Sequence, residues 1–260
     1  MNEQCGGACD TIVWITGATQ GLGSGLARTC PYEGAHVINL SRSPHPDLEN
    51  VTFDLTRPDT WSSVRESFRG HLAGFTGSRA IFIHNAYYNS GTGFAGEVDE
   101  EQYYSAVMGN AVAPLILADW FLREVKPGYE SGLVLISSAA ARMPFEGNSV
   151  YGAAKAGVEQ WVRVVRRERA RRGTGPWVVA VRPGFVDSPS LRKVASLDPL
   201  NYPISPAIRE GIDNGETLTP DEAGRQIWAA LPPAGNESVL LFGAPPSGVD
   251  AKGAPKQAAG

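Results

Sequence analysis

Cysteine is nearly absent from the 260-residue chain, where Cys5, Cys9 and Cys30 are the whole set. Three scattered thiols exclude a disulfide framework and point to a reducing compartment, read here as the cytoplasm. A metal-ligand pattern is also missing. Cys5 and Cys9 alone make a poor site, and His36, His45, His71 and His84 form neither an HExxH motif nor a CxxC-type array, so no metal is expected. Positive charge is not in excess either. The 23 Lys+Arg against 27 Asp+Glu leave a net charge of -4, which offers no general attraction for nucleic acid or anionic lipid. One basic cluster, Arg163, Arg166, Arg167, Arg169, Arg171 and Arg172, falls late in an expected helix, where cations complement the helix dipole. Apolar runs of the roughly 20 residues that a membrane span requires are lacking, as is a basic start followed by an apolar signal core.

What is present suits a folded core. Hydrophobic residues make up 42% of the chain and charged residues 19%, a balance that argues against disorder along its length and fits one α/β domain. Residues 1–10 and 244–260 are polar or rich in Gly, Ala and Pro, and are expected to be flexible ends around a domain spanning 11–243. Short apolar β-type runs at 11–16, 36–40, 80–84, 132–137, 177–182 and 238–242 alternate with helical stretches, the best at 23–30, 100–125 and 151–172. Continuous apolar strands separated by helix-length segments predict a parallel sheet covered on both faces, a doubly wound Rossmann-like α/β fold. Residues 189–220 are rich in proline and polar side chains with one short helical patch, which predicts a substrate lid.

The usual dinucleotide string GxGxxG is missing. In its place the first strand runs into Gly17-Ala18-Thr19-Gln20-Gly21-Leu22-Gly23, with Leu26 where the last glycine of that string would stand. A glycine turn between strand and helix lets backbone N–H groups approach a pyrophosphate at the helix N-terminus, although such turns also occur as plain structure. The acid that would hold the ribose 2′-hydroxyl of NAD is lacking after the second strand. Ser41 and Arg42 stand there instead, chemistry suited to a 2′-phosphate, so NADP(H) is expected over NAD unless Arg42 is simply a solvated loop residue.

Tyr151 and Lys155 lie four residues apart at the start of a predicted helix, on one face. A phenol ordinarily titrates near 10, and an adjacent ammonium is expected to lower that value and make it a usable proton donor. The pattern YxxxK alone is weak. Its context strengthens it, because Ser137-Ser138 ends a strand at the carboxyl edge of the sheet, where ligands bind in such folds.

Taken together, residues 16–23, Ser138, Tyr151 and Lys155 resemble the Thr-Gly-x3-Gly-x-Gly turn and the Ser, Tyr, x3, Lys motif of the short-chain dehydrogenase/reductase family, over about residues 11–243. The resemblance implies cofactor contacts from Gly17, Thr19, Gln20, Gly21, Leu22, Gly23, Ser41 and Arg42, and from Asp54 and Leu55 beside the adenine. It implies further contacts from Asn85 and Ala86, and from Pro183, Gly184, Val186 and Ser188 beside the nicotinamide. It also implies a catalytic tetrad: Tyr151 protonates the substrate oxygen, Ser138 holds it, Lys155 binds ribose and tunes the tyrosine, and Asn110 positions a water. The family's Asn-Asn-Ala-Gly reads His84-Asn85-Ala86-Tyr87 here. Tyr87, with Tyr88, is expected to line a pocket for an aromatic or flat substrate, and His84 to be a hydrogen-bonded core residue.

The segment 186–223 is most similar to the sepiapterin reductase and benzil reductase branch, although 238–242 carries no acid to anchor a pterin. An NADPH-dependent carbonyl reductase of ketones or diketones, serving secondary or detoxifying metabolism, is therefore expected. The alternatives are non-redox chemistry such as dehydration or cyclisation on this scaffold, and a dinucleotide-binding scaffold without turnover. Leu115, Leu117, Trp120, Trp161, Val162 and Val165 on the long helices suggest surface beyond what one sheet covers, hence a homodimer or homotetramer.

Overall fold

Thr11–Thr16 forms strand β1 and is buried along its whole length, because its successive side chains enter two different cores. The fold is known from a computed structural model that describes residues 9–243. The expected flexible ends at 1–8 and 244–260, Cys5 among them, lie outside the described residues. Ile12 and Trp14 point to one face of the sheet and Val13 and Ile15 to the other, the period-two alternation of a strand. Such burial on both faces is why the run reads as continuously apolar.

Among the described residues seven parallel strands form one sheet in the order β3-β2-β1-β4-β5-β6-β7. The other six strands are His36–Ser41 (β2), Glu49–Thr52 (β3), Arg79–His84 (β4), Glu130–Ile136 (β5), Trp177–Arg182 (β6) and Val239–Leu241 (β7). The chain winds outward one way from β1 to β3 and the other way from β4 to β7. The order therefore reverses between β1 and β4, and a crevice opens at their carboxyl ends.

One face packs against Ser62–Ala73 (α2) and, through Trp14, Phe68, Phe82 and Phe121, against a helix at Ala113–Glu124. These rings meet edge to face, with Trp14–Phe68 centroids at 5.3 Å and Phe68–Phe82 at 5.0 Å. The other face is covered by Gly21–Arg28 (α1) and a helix at Pro220–Ala229, with Leu22, Leu26, Ile227 and Trp228 buried. Helix α1 ends at the cap Thr29, whose hydroxyl donates to Gly25 O at 2.8 Å, so the chain leaves the helix before Pro31, as the proline requires.

The expected helix at 100–125 is continuous over Glu100–Glu124, but a π-helical turn at Met108–Val112 divides it into Glu100–Val107 (α3) and Ala113–Glu124 (α4). Pro114, without an N–H, sits at the first turn of α4 where none is needed. The stretch Glu100–Glu124, with mean hydropathy 1.4, has the length and composition to pass for a membrane span, contrary to the sequence reading. Its apolar residues Ala113, Leu117, Ala118 and Phe121 are spent on the sheet.

Ser149–Arg172 (α5) begins two residues before Tyr151 and ends at Gly173 in the left-handed region. Of the residues expected to leave excess apolar surface, Leu117, Val162 and Val165 are buried in the core, and Leu115, Trp120 and Trp161 pack against it. The apolar groups left exposed on these helices are Tyr103, Tyr104, Ile116 and Val164.

The segment 189–220 is better built than its composition predicts. It holds two helices, Pro189–Ala195 (α6) and Ser205–Asp213 (α7), before Pro220–Ala229 (α8). Ala195, Tyr202, Ile204, Ala207 and Ile208 form a separate small core, against which Met143 and Phe145 pack.

Candidate active site

The turn after β1 is held open by its own backbone bonds. Gly17, at φ +71°, donates its N–H to Leu40 O at 2.9 Å, a left-handed conformation costly for residues with a Cβ. Ala18 N–H donates to the Asn39 carboxamide at 3.0 Å, and Asn39 in turn donates to Ser41 Oγ and Ser43 O. Asn39 is buried and ties the end of β2 to the glycine turn, yet nothing in its sequence context marks it. The Thr16 hydroxyl accepts N–H bonds from Asn85 and Ala86 at 2.8 and 2.9 Å, and Asn85 Nδ2 donates back to Thr16 O at 3.0 Å. The carboxamide nitrogen of Asn85 therefore closes the crevice floor between β1 and β4.

Around this floor lies a cleft of about 810 Å³, large enough for a dinucleotide's reactive half and a small organic molecule. Its walls include Gly17, Thr19, Gln20, Gly21 and Leu22 from the turn; Ser41, Arg42, Asp54 and Leu55 from the strand ends; and Pro183, Gly184, Val186 and Ser188 after β6. Asn85, Ala86, Tyr87, Asn110, Ser138, Tyr151 and Lys155 line it as well.

Gly23 is the exception among the expected contacts. It does not line the cleft: a Cβ there would sit 2.0 Å from Gly17 O and 2.6 Å from Asn85 Nδ2, so this glycine allows α1 to close onto the turn. Ser188 spends its hydroxyl as the cap of α6, accepting from Leu191 N–H at 3.1 Å. Arg42 has a 74% exposed side chain 3.8 Å from Asp54 Oδ2 at the cleft rim. Asp54 Oδ1 is already taken by Thr56 N–H and hydroxyl donors.

At the other end of the cleft Ser138, Tyr151 and Lys155 converge. Ser138 precedes a short 3-10 turn and hydrogen-bonds the Tyr151 phenol. The Lys155 ammonium lies 5.4 Å from the centre of the Tyr151 ring and donates to Ile136 O at 2.7 Å.

Burial, then the neighbouring phenols of Tyr87 and Tyr202, raises the Tyr151 pKa; the Ser138 bond opposes this and loses. The lowered phenol pKa read from YxxxK is therefore not what the open cleft builds, because desolvation of the part-buried phenol outweighs its polar support. Burial instead acts on the lysine, pushing Lys155 down to about 8.

Asn110, carried on the π-helical turn, spends its carboxamide on one residue. Its Oδ1 accepts Tyr88 N–H at 2.8 Å and its Nδ2 donates to Tyr88 O at 3.1 Å. Its side chain thus fixes the loop that carries Tyr87. Tyr87 packs its ring 5.4 Å from that of Tyr151 and bonds to Ser190 on α6. Burial raises its pKa as well.

His84 is a buried core residue, as expected, and its Nε2 has no hydrogen-bond partner among the described residues. Desolvation first and the Lys155 charge second push its pKa down to about 3, so it stays neutral.

Two further features escaped the sequence reading. Glu159, one turn beyond Lys155 on α5, is buried and accepts from Ser137 Oγ at 2.8 Å, Arg182 Nε at 2.6 Å and Arg163 Nη2 at 3.0 Å. Burial alone would raise its pKa, but the Arg182 and Ser137 bonds and the arginine charges hold it below the usual value. This network clamps the helix carrying Tyr151 and Lys155 onto the ends of β5 and β6. Tyr202, from the small core, lines the cleft and accepts from Asn148 Nδ2, at the cap of α5, at 3.3 Å.

A doubly wound parallel sheet with a glycine turn at its switch point, and a Ser-Tyr-Lys group lining the cleft at its carboxyl edge, defines a class of dinucleotide-dependent oxidoreductases. Residues 11–198 match the short chain dehydrogenase family, and the chain belongs to that family. It is 27% identical over 231 residues to benzil reductase ((S)-benzoin forming) of Bacillus cereus, covering 83% of this chain and 91% of that one. The Bacillus subtilis benzil reductase is 24% identical over 212 residues, 80% of this chain and 87% of that one. In fold the chain is similar to a short-chain dehydrogenase from Sphingobium yanoikuyae in complex with NADPH, with TM-score 0.68 and 22% identity, covering 89% of this chain and 87% of that chain.

Proposed function

We propose that the protein is a carbonyl reductase that uses NADPH to reduce a ketone or diketone, with Tyr151 as the proton donor. The observation that carries this reading is the convergence of Ser138, Tyr151 and Lys155 inside a cleft whose other end is the glycine turn. The residues present fit a dinucleotide, since a Cβ at Gly21 would come within 3.0 Å of Ser188 across the narrow part of the cleft, where only a glycine leaves room for close backbone approach. NADPH, when bound, supplies the hydride.

The chain's own groups do the rest. Ser138 donates to the substrate oxygen and holds it beside the phenol. Tyr151, neutral because its pKa is raised, gives its proton as charge develops on that oxygen; an alkoxide is a far stronger base than a phenolate, so the transfer runs downhill. Lys155, charged below about 8, stabilises the phenolate left behind and reaches toward the ribose. Arg42, at the open rim, pairs with the 2′-phosphate and so favours NADPH over NADH.

Met143, Phe145, Tyr202, Ile204 and Ile208 wall the substrate end. Apolar and aromatic lining with few polar groups suits a flat, aryl-bearing ketone or vicinal diketone, in keeping with the benzil reductases that the chain resembles. Segment 189–220 acts as the lid over this end, and residues 11–243 act as one dinucleotide-binding unit. Tyr104, Ile116 and Val164 supply the surface through which copies associate.

The test is to follow NADPH absorbance with an aromatic 1,2-diketone and to identify the product. Oxidation of one NADPH per hydroxyketone formed is expected. Conversion of substrate with the cofactor unchanged would replace this reading with non-redox chemistry on the same site.

A further inference from the structure

Two of the histidines that form no motif along the chain, His36 and His71, meet in space. His36 opens β2, Glu49 opens β3 and His71 lies in the last turn of α2. His36 Nε2 is 2.8 Å from Glu49 Oε2, His71 Nε2 is 3.3 Å from Glu49 Oε1, and the three ligand atoms all lie within 4.8 Å of one another. The two imidazole rings face each other nearly at right angles, 5.5 Å apart.

His71 is the informative member. Its Nδ1 lies 2.8 Å from Ser67 O, and a carbonyl can only accept, so Nδ1 carries the proton. In the neutral ring Nε2 is then a bare lone pair aimed at a carboxylate oxygen. Two acceptors at 3.3 Å repel unless a cation sits between them, either a proton or a metal ion. The ring is also held in place, with Trp14 packed edge to face against it at 5.9 Å. A histidine whose Nδ1 is fixed by a backbone carbonyl and whose Nε2 is presented beside a carboxylate is the arrangement that orients zinc ligands.

We infer that His36, Glu49 and His71 bind a divalent transition-metal ion of the zinc type. Two imidazoles and one carboxylate are a donor set for that ion class. Tetrahedral zinc with ligands at about 2.1 Å spaces them roughly 3.4 Å apart, which small side-chain rotations reach from the distances present. All three side chains are partly exposed, so water completes the shell. The ion joins β2, the edge strand β3 and α2 as a staple. It lies at the amino ends of the strands, whereas Arg42 and the cleft lie at the carboxyl ends, so it takes no part in the reduction.

The test uses the full-length, tag-free protein, stripped with chelator and dialysed, then titrated with Zn²⁺ by calorimetry and with Co²⁺ by visible absorption. One equivalent is expected, with the intense ligand-field bands of a tetrahedral cobalt site and a rise in thermal midpoint on adding Zn²⁺. His36→Gln and His71→Gln should each weaken binding by about tenfold or more and abolish the thermal shift, while leaving NADPH-dependent turnover unchanged. Absence of binding at millimolar metal would show that a proton alone bridges His71 and Glu49. Unchanged binding in the His36→Gln/His71→Gln double variant would place the ion elsewhere on the protein. Either result overturns the site.

Discussion

At the residue scale, two side chains carry predictions that separate binding from chemistry. Arg42 is exposed at the cleft rim with only a 3.8 Å contact to Asp54, so Arg42→Ala leaves the fold intact. It should weaken NADPH binding by about tenfold or more while changing NADH little, because a charge-assisted phosphate contact is worth about 1.5–3 kcal/mol. Equal losses for both cofactors in calorimetry would remove Arg42 from the 2′-phosphate. Lys155, at about 8, sets the alkaline limit. Its cationic form predominates below that value and is lost above it, so kcat for reduction should fall as pH rises through about 8 rather than near the ordinary lysine value. A profile flat to beyond pH 9.5 would contradict the assigned charge. Ser138, Tyr151 and Lys155 were legible as residues because their spacing reports a strand end and a helical face. Their electrostatics were not, since the sequence shows the i, i+4 cation but not the burial beneath Tyr87 and Tyr202 that raises the phenol.

At the element scale, α5 is positioned by Glu159. Tyr151, Lys155 and Glu159 recur at intervals of four along one stripe, and the last of them holds Ser137, Arg163 and Arg182. Glu159→Ala leaves the half-buried Arg182 unpaired and should cost about 3–5 kcal/mol in denaturant unfolding. Glu159→Gln keeps the shape and loses the charge, so it should lower kcat more than it alters NADPH affinity. A stability change below about 1 kcal/mol for the alanine variant would mean that α5 is held by its apolar face alone. The long strands and α5 were readable because both faces or one whole stripe are apolar. Strand β3, Glu49-Asn50-Val51-Thr52, was not, being a short polar edge. The capping box Thr219–Glu222 that starts α8 was present in the sequence but was absorbed into the lid, and the π-helical turn leaves no periodic signal short enough to see.

At the scale of the whole molecule, the sheet, the switch point and the two cores follow from the alternation of apolar runs with helical segments, whereas the small core over the substrate end depends on contacts between Met143, Phe145 and residues some fifty positions later. His84 links this architecture to acid stability. Its folded pKa of about 3 lies below the ordinary value of 6.5, so the unfolded chain binds a proton that the folded one refuses. Its contribution is fully present above pH 6.5 and is lost as pH falls, at up to about 1.4 kcal/mol per unit. His84→Asn should flatten the pH dependence of unfolding between 6.5 and 4, and an unaltered slope would show that other groups carry it.

The assignment as a whole rests on proton donation at Tyr151. The decisive measurement is single-turnover reduction of an aromatic diketone by wild type and Tyr151→Phe, with NADPH affinity determined on the same samples. A fall in rate of about a hundredfold or more with NADPH affinity preserved is expected. Residual reduction within about tenfold of wild type would contradict the assigned chemistry.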